Sequence, residues 1–524
     1  MNSTDRCQAQ HLAGILAVAS AIAPVCFAAE REIPPAFGPH VNPAAKDFDG
    51  GESFTTEDRI VGTYYFYWYD IYTKSHIMDN DGTDALTTHP PTLADFSYKS
   101  VRWHKQQLAD MEAAGIDVAL MVFWGSPAEH DRKTGLHWSY AGLPPLVQAR
   151  DELLREGRKP PRIGLFYDTS TLQWNHWHYH ADLTTDYGRH WFYATVRDFF
   201  SCIPPKHWAM IDGKPIVLLY ASAFAKKWDQ SFIDYTRAQF PKEFGGRVPW
   251  MAPQDSWGVK GDNTCAWGGA LAFKNPGIGE IGPGYDHSAV PDRAPLVRER
   301  ENGKFYEESW LKFLRRPTHF VMIETWNEFH EGTDIAESRE YGRQYIELTR
   351  KYSGRFKKGW KPPWPKGSFN NAKSVSASPA EGKADKGLTL VAVEDGITTV
   401  QGIAGRRAWL GKPFKGAAAA YVYFRVDDSF KSDGVMNTTV DIEYFDAAPG
   451  RLRVEFDGSD TGAPFNGAYT GSDSIALTGD RRWKAANFKL DAARFLNSQN
   501  SGADFRLTAE APEFGVGQVT LKRR

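Results

Sequence analysis

The sequence predicts an α/β chain: a (β/α)8, TIM-like barrel followed by a smaller antiparallel β-sandwich of jelly-roll type. From Arg59 to about Phe356, apolar runs of strand length alternate with amphipathic runs of helix length, the pattern of parallel βα units. Nearly every strand-length run ends in a polar or aromatic cluster, which gathers the chemistry at strand carboxyl ends, as at a barrel mouth. From Leu388 onward the pattern changes to short alternating runs separated by turns, the mark of antiparallel strands.

The elements follow in order. The amino end, MNSTDRCQAQHLAGILAVASAIAPVCFAAE, places Arg6 ahead of an apolar run from Leu12 to Ala23, with small residues around Ala28. This is the plan of a secretory signal peptide over residues 1–28. The run is too short to cross a bilayer, and no later stretch reaches about 20 apolar residues. A secreted or periplasmic protein without a membrane span is expected. Residues 29–358 are assigned to the barrel, with strand candidates RIVGTYYFYWYD (59–70), DVALMVFWG (117–125), RIGLFYDTS (162–170), KPIVLLYAS (214–222), VPWMAPQDSW (248–257), GIGEIGPGYD (277–286) and HFVMIETWNEF (319–329). An eighth strand is placed near AWGGALAF (266–273). Helix candidates are SVRWHKQQLADMEAAGI, LVQARDELLREG, YGRHWFYATVRDFF, FIDYTRAQF, YEESWLKFLRR and YGRQYIELTRKY. Residues 359–387, rich in Pro, Ser, Ala, Lys and Gly, read as a linker, and residues 388–524 as a β-sandwich whose runs VDIEYFD, RRWKAANFKLDAARF and GADFRL resemble the galactose-binding-like modules of carbohydrate enzymes.

At 524 residues the chain is long enough for more than one core. Its 62 basic and 64 acidic residues nearly cancel and form no long run of one sign, which argues against nucleic acid as a partner. Aromatics make up 14% of the chain, 18 of them Trp, and many stand beside His, Asp and Gly at strand ends. Flat rings in that setting suit a sugar face; a large aromatic core is the other use. Beyond the signal only Cys202 and Cys265 remain, in no Cys/His cluster, so no metal is expected and their pairing stays open. No Gly-rich phosphate loop follows the first strand, and no cofactor is expected. The chain is read as a monomer.

The segment ETWNEFHEGTDI (324–335) carries the densest chemistry. Along a strand, Glu324, Trp326 and Glu328 share one face, so Glu331 joins Glu328 at the mouth only if the strand stops at Glu328 and turns, an event Gly332 eases. One helix-like turn would bring the two glutamates to about 5–6 Å between Cβ atoms. Carboxyl groups about 5–5.5 Å apart are the spacing of retaining glycosidases. Two acids that close repel, which raises one of their proton affinities. A capping or salt-bridge role for Glu331 is the competing use. Glu324 is expected deeper in the barrel, paired with an Arg or Lys, because an unpaired buried charge is too costly.

The string ETWNEFHEGTDIAES resembles the signature of glycoside hydrolase family 99, the endo-α-mannosidase family, and of relatives that add a β-sandwich. GTYYFYWYD, THPP (88–91), HKQQLADMEAAGIDVALMVFWG, KPIVLLY and IGPGYD (281–286) agree with it. The resemblance implies a retaining reaction in which Glu328 deprotonates the sugar's 2-hydroxyl to form a 1,2-anhydro intermediate. Glu331 then serves as acid and base. It further implies substrate contacts from Tyr67 and Tyr69 of the first strand, Trp124, Asp168 and Tyr285, with Asn327 and His330 of the signature beside them. The chain departs from the family at Glu324, Phe329, Asp334, Ala336 and Asp168, all around the mouth, so the sugar stays open.

In the loop TLQWNHWHYHADL (171–183), Trp174, His176 and Trp177 are candidates to line sugar subsites. Asp70, Asp168 and Asp286 end strands and either hold sugar hydroxyls or cap the next element. His89, ahead of Pro90 and Pro91, is a candidate contact on a rigid loop. The substrate class is a polysaccharide or oligosaccharide with α-linkages. Two rivals remain: a non-catalytic glycan-binding protein on a degenerate barrel, and a hydrolase of another polysaccharide working by ordinary double displacement.

Overall fold

The computed structural model describes residues 31–524 except 52, 132, 292, 294, 295, 380–385, 394, 415, 416, 433, 461 and 466; the signal peptide expected over residues 1–28 lies outside them. Seven parallel barrel strands are formed: β1 (Ile60–Tyr65), β2 (Val118–Phe123), β3 (Arg162–Tyr167), β4 (Lys214–Leu219), β5 (Trp250–Pro253), β6 (Gly279–Ile281) and β7 (Phe320–Ile323). They pair in the order β5-β4-β3-β2-β1-β7-β6, so the first strand lies beside the last. Their burial is continuous, β1 and β2 being covered on both faces, as parallel strands beneath a ring of helices must be.

The eighth position is filled by Thr264–Cys265. Cys265 N–H donates to the Pro253 carbonyl at 3.2 Å, Asp255 N–H donates to the Cys265 carbonyl at 2.9 Å, and Ile278 N–H donates to the Thr264 carbonyl at 3.0 Å. This short stave joins β5 to β6 just ahead of the stretch 266–273 where the sequence placed it. Gly268, Gly269 and Ala270 are unable to extend the stave because their N–H groups are directed at the Glu324 carboxylate. Cys202 and Cys265 are both free thiols.

Helices α1 (Val101–Ala114), α2 (Leu143–Arg155), α3 (Asp186–Ser201), α4 (Ser231–Glu243), α5 (Lys304–Arg315) and α6 (Gln344–Lys357) cover the barrel and coincide with the amphipathic runs. Their ends follow local chemistry. The Ser100 hydroxyl accepts Trp103 N–H at the start of α1, and Gly115 closes it at φ 80°. Among the described residues no helix is long and apolar enough to cross a membrane.

Two six-stranded antiparallel sheets pack face to face in the carboxyl-terminal domain. Met436–Phe445 alternates buried and exposed positions, and Val440 and Ile442 meet Val422, Phe424, Val454 and Leu507 of the facing sheet. The stretch 359–387, read from the sequence as a linker, is a docked segment over residues 359–379. Trp364 Nε1 donates to the Lys431 carbonyl at 2.7 Å, and Ser374–Ala377 is a strand paired with Phe514–Arg523. Composition misled here because Pro and Ser also suit an edge strand.

The sandwich is held on the barrel at the end of α5. Arg316 donates to the carbonyls of Arg494, Ser432 and Gly434, Arg315 pairs with Asp428 at 3.6 Å, and both guanidinium groups lie over Trp364. Burial would raise the Asp428 carboxyl, but Lys431, Lys312 and Arg315 together hold it far below the usual range. Arg316→Ala is expected to weaken docking by about 2 kcal/mol, since charge-assisted bonds contribute about 1.5–3 each. Limited proteolysis should then cut within 359–387 severalfold faster, with far-ultraviolet dichroism unchanged.

Candidate active site

The mouth is organised by the chain after β7. The sequence carried that strand to Phe329, but it ends at Ile323, because from Thr325 onward the backbone pairs with its own loop. Thr325 N–H donates to the Thr333 carbonyl at 2.8 Å, Thr333 N–H to the Glu328 carbonyl at 3.2 Å, and Glu328 N–H to Thr325 Oγ1 at 2.8 Å. Gly332 completes the loop at φ 53°, a left-handed turn that suits glycine.

Asn327 ties this loop to β1. Its Oδ1 accepts Phe66 N–H at 2.9 Å and its Nδ2 donates to the Phe66 carbonyl at 2.7 Å, so one buried side chain acts as a strand partner. The Tyr69 hydroxyl donates to the Asn327 carbonyl at 2.9 Å and accepts Phe329 N–H at 3.0 Å. From the far side Arg300 donates to the Gly332 carbonyl and to both the carbonyl and carboxylate of Asp334, with its guanidinium over Tyr341 and Tyr345.

Both glutamates lie in the loop that follows β7, in different settings. Glu328 is 3% exposed; its Oε1 accepts His330 N–H at 3.1 Å, and its Oε2 has no hydrogen-bond partner among the described residues. Burial raises its proton affinity, His330 opposes that, and the Glu331 charge adds to it. Glu331 is more open, with its side chain 19% exposed, and pairs with the Arg293 guanidinium. The Tyr285 hydroxyl, 3.0 Å from His287 Nδ1 and accepting from the Arg293 guanidinium at 3.4 Å, is pushed up first by burial and then by the Glu331 charge.

Trp68, Trp124, Trp138, His76 and His330 form an aromatic wall beside this pair. Trp68 meets Trp124 edge-on at 5.1 Å between centroids, stacks flat on His76 at 4.7 Å and tilts against His330 at 5.4 Å. The Trp124 indole N–H donates to Asp168, which also caps the turn after β3 by accepting Ser170 N–H at 3.1 Å. Burial raises the Asp168 carboxyl, and Glu331 adds to the rise. Tyr220, at the end of β4, is raised by burial and by the charges of Asp168, Glu331 and Glu324, which places it in the same group.

Glu324 lies beneath, with none of the expected Arg or Lys in ion-pair contact among the described residues, though the charge of Lys274 acts on it. Its carboxylate accepts the N–H groups of Gly268 at 2.8 Å, Gly269 at 2.9 Å and Ala270 at 3.5 Å, a concave set of amides that stands in for a cation. Gly268 reaches this position at φ 102°. Burial nevertheless pushes the carboxyl up to about 7. The loop it anchors carries Trp267, which stacks on Phe166 at 5.4 Å and meets Tyr220 at 5.2 Å.

Several expected contacts prove structural. Tyr67 is buried with its hydroxyl on the Ser139 carbonyl, and Tyr69 supports Asn327 as described, so the first-strand residue at the wall is Trp68, of opposite parity. Asp70 is enclosed by Lys99, Ser97 and Thr73, at 2.7, 2.8 and 2.8 Å. His89 commits both ring nitrogens, to Glu340 at 2.7 Å and Asp84 at 3.0 Å. Asp286 caps Ser288 N–H at 2.9 Å. Trp177 packs edge-on against Trp191 of α3 under Arg31, while Trp174, 42% exposed, and His176 sit in the open on the loop after β3. Arg293, Arg300 and His76 carried no motif; only their positions in space bring them in. No group of three or more His, Cys, Asp or Glu suited to a metal ion occurs among the described residues.

Residues 49–375 match the family described as "Domain of unknown function (DUF5010)". Glycoprotein endo-alpha-1,2-mannosidase of Mus musculus is 35% identical over 96 residues, which are 16% of this chain and 21% of that protein. The chain thus spans about a fifth of the length of this relative. The GH99 endo-alpha-mannosidase structure from Bacteroides thetaiotaomicron aligns at 16% identity and TM-score 0.42, over 58% of this chain and 98% of that one. The C-terminal CBM6 of LamC from Zobellia galactanivorans aligns at 7% identity and TM-score 0.18, over 29% of this chain and 99% of that one.

Asn327→Ala removes both bonds to the Phe66 peptide and leaves two buried polar groups unmatched. The barrel is expected to lose about 2–6 kcal/mol, each of the two stranded groups costing about 1–3, as a lowered midpoint in urea denaturation.

Proposed function

The chain belongs to the DUF5010 family, and from that premise and the arrangement of Glu328 and Glu331 we propose that it is a glycoside hydrolase cleaving α-linked polysaccharide or oligosaccharide with retention. The observation that carries this reading is the Glu328 carboxylate, buried with Oε2 unpartnered, beside a second carboxylate that opens to solvent. A buried acceptor without a partner costs about 1–3 kcal/mol, a cost that a substrate hydroxyl would offset. The aromatic wall supports a sugar substrate, because an indole face matches the apolar face of a pyranose ring.

In this reading the 2-hydroxyl of the donor sugar gives its proton to Glu328 Oε2, and its oxygen attacks the anomeric carbon. The bond to the leaving oxygen breaks as Glu331 protonates that oxygen, giving a 1,2-anhydro sugar. A water then loses a proton to Glu331 and attacks the same carbon. The ring opens, and the 2-oxygen recovers its proton from Glu328. Each acid ends as it began, and two inversions give retention. Arg293, itself bonded to the Tyr285 hydroxyl, orients Glu331 beside the leaving group, and in this reading Asp168 and Tyr220 hold ring hydroxyls. The amino-terminal segment 1–28 supports export, so the substrate is proposed to be met outside the cytoplasm.

A panel of α-linked polysaccharides, assayed by new reducing ends and anomeric NMR, tests this. Glu328→Gln and Glu331→Gln are each expected to lower kcat by about 10²–10⁴-fold, with the product anomer retained in wild type. A donor without a free 2-hydroxyl should resist cleavage; its cleavage would indicate ordinary double displacement. Equal activity in wild type and Glu331→Gln would end the reading.

A further inference from the structure

The ring of His330 is fixed between two acceptors. Its Nε2 lies 2.8 Å from the His76 carbonyl, which only accepts, so Nε2 carries a hydrogen. A neutral ring with hydrogen on Nε2 has a bare lone pair on Nδ1. Yet Nδ1 lies 3.1 Å from Glu328 Oε1, the oxygen that already accepts His330 N–H. A bare Nδ1 beside a carboxylate oxygen at that distance is unfavourable, whereas a protonated ring forms an ion pair with it. The His76 ring does not compete for that proton, being stacked flat on Trp68 and kept neutral by burial, which lowers it to about 3.

We propose that His330 is a positioning residue for Glu328, the two forming an imidazolium–carboxylate pair that occupies Oε1 and leaves Oε2 for a substrate hydroxyl. This rests on the reading of Glu328 as the base. The groups facing the pair are Glu331 from the same loop, Tyr69 from the extension of β1, and His76 and Asp79 from the loop beyond it. Burial alone would discharge the His330 ring, but the bond and charge of Glu328 hold it protonated above the usual range. In return the imidazolium counters the rise that burial and Glu331 impose on Glu328. The sign follows: without the cation, Glu328 is protonated at higher pH, and the carboxylate needed as base is lost sooner on acidification.

Two measurements on the full chain test this. In histidine ¹⁵N–¹H NMR, with the His330 ring assigned by its absence in His330→Asn, the wild-type ring should stay doubly protonated to higher pH than in Glu328→Gln. An identical His330 titration in the two proteins would overturn the pair. In assays against pH, His330→Gln keeps a donor near the Nε2 position and loses the contact with Glu328. Its kcat/KM should fall severalfold more on the acid side than on its own plateau, because Glu328 has lost the cation beside it. His330→Asn, which offers a neutral donor near Nδ1, should move the acid limb less. Losses by one factor at every pH in both variants would assign His330 to packing and overturn the proposal. The NMR measurement needs no substrate, so the pair can stand where hydrolysis fails, and hydrolysis can stand where the pair fails.

Discussion

The Asn327 carboxamide on the Phe66 peptide is the constraint from which the mouth is built. A barrel closes only if its last strand pairs with its first, and here β7 stops at Ile323 while the chain beyond it must turn toward the opening. A side chain with one donor and one acceptor continues the ladder where the backbone has left it. It holds Trp326, Asn327 and Glu328 against β1 while Thr325 and Thr333 close the loop behind them. Glu328 is therefore held by a buried, hydrogen-bonded scaffold that fixes its position.

Each carboxylate in and around the barrel is compensated differently, and the differences separate support from chemistry. Glu324 accepts backbone amides, Asp334 pairs with Arg300, Asp70 with Lys99, and Glu280 takes the Tyr64 hydroxyl at 3.1 Å. Burial and the neighbouring Glu324 push Glu280 well up, so this deep pair tends toward the neutral form. Glu328 and Asp334 each leave one oxygen without a hydrogen-bond partner among the described residues, and Glu331 differs from both by meeting solvent and pairing with Arg293.

The sandwich meets the barrel at the end of α5, and again where Gly502 approaches Ala272 just beyond the amides that hold Glu324. Arg316 and Arg315 fix it to the end of α5, the helix that follows β6, on which Tyr285 and Arg293 depend through the intervening loop.

Much of the fold was legible because its signals are local. Apolar periodicity located the seven strands and six long helices, turn residues marked the sandwich, and a few consecutive residues, Asn327 to Glu331, carried the two acids. Errors fell where a local signal has no reach. Strand alternation shows that neighbouring aromatics point opposite ways but not which parity faces the opening, so Tyr67 and Tyr69 were favoured over Trp68. Cost alone demanded a partner for Glu324 and named a cation, whereas folding supplied the amides of Gly268 to Ala270. The sequence by itself determined the barrel, the sandwich and the pair of glutamates, since periodicity and residue type are properties of neighbours along the chain. Only the tertiary structure decided that Arg293 meets Glu331, that Arg300 braces the loop and that the His76 carbonyl orients His330, because these contacts join residues far apart in the chain, brought together only when the barrel closes.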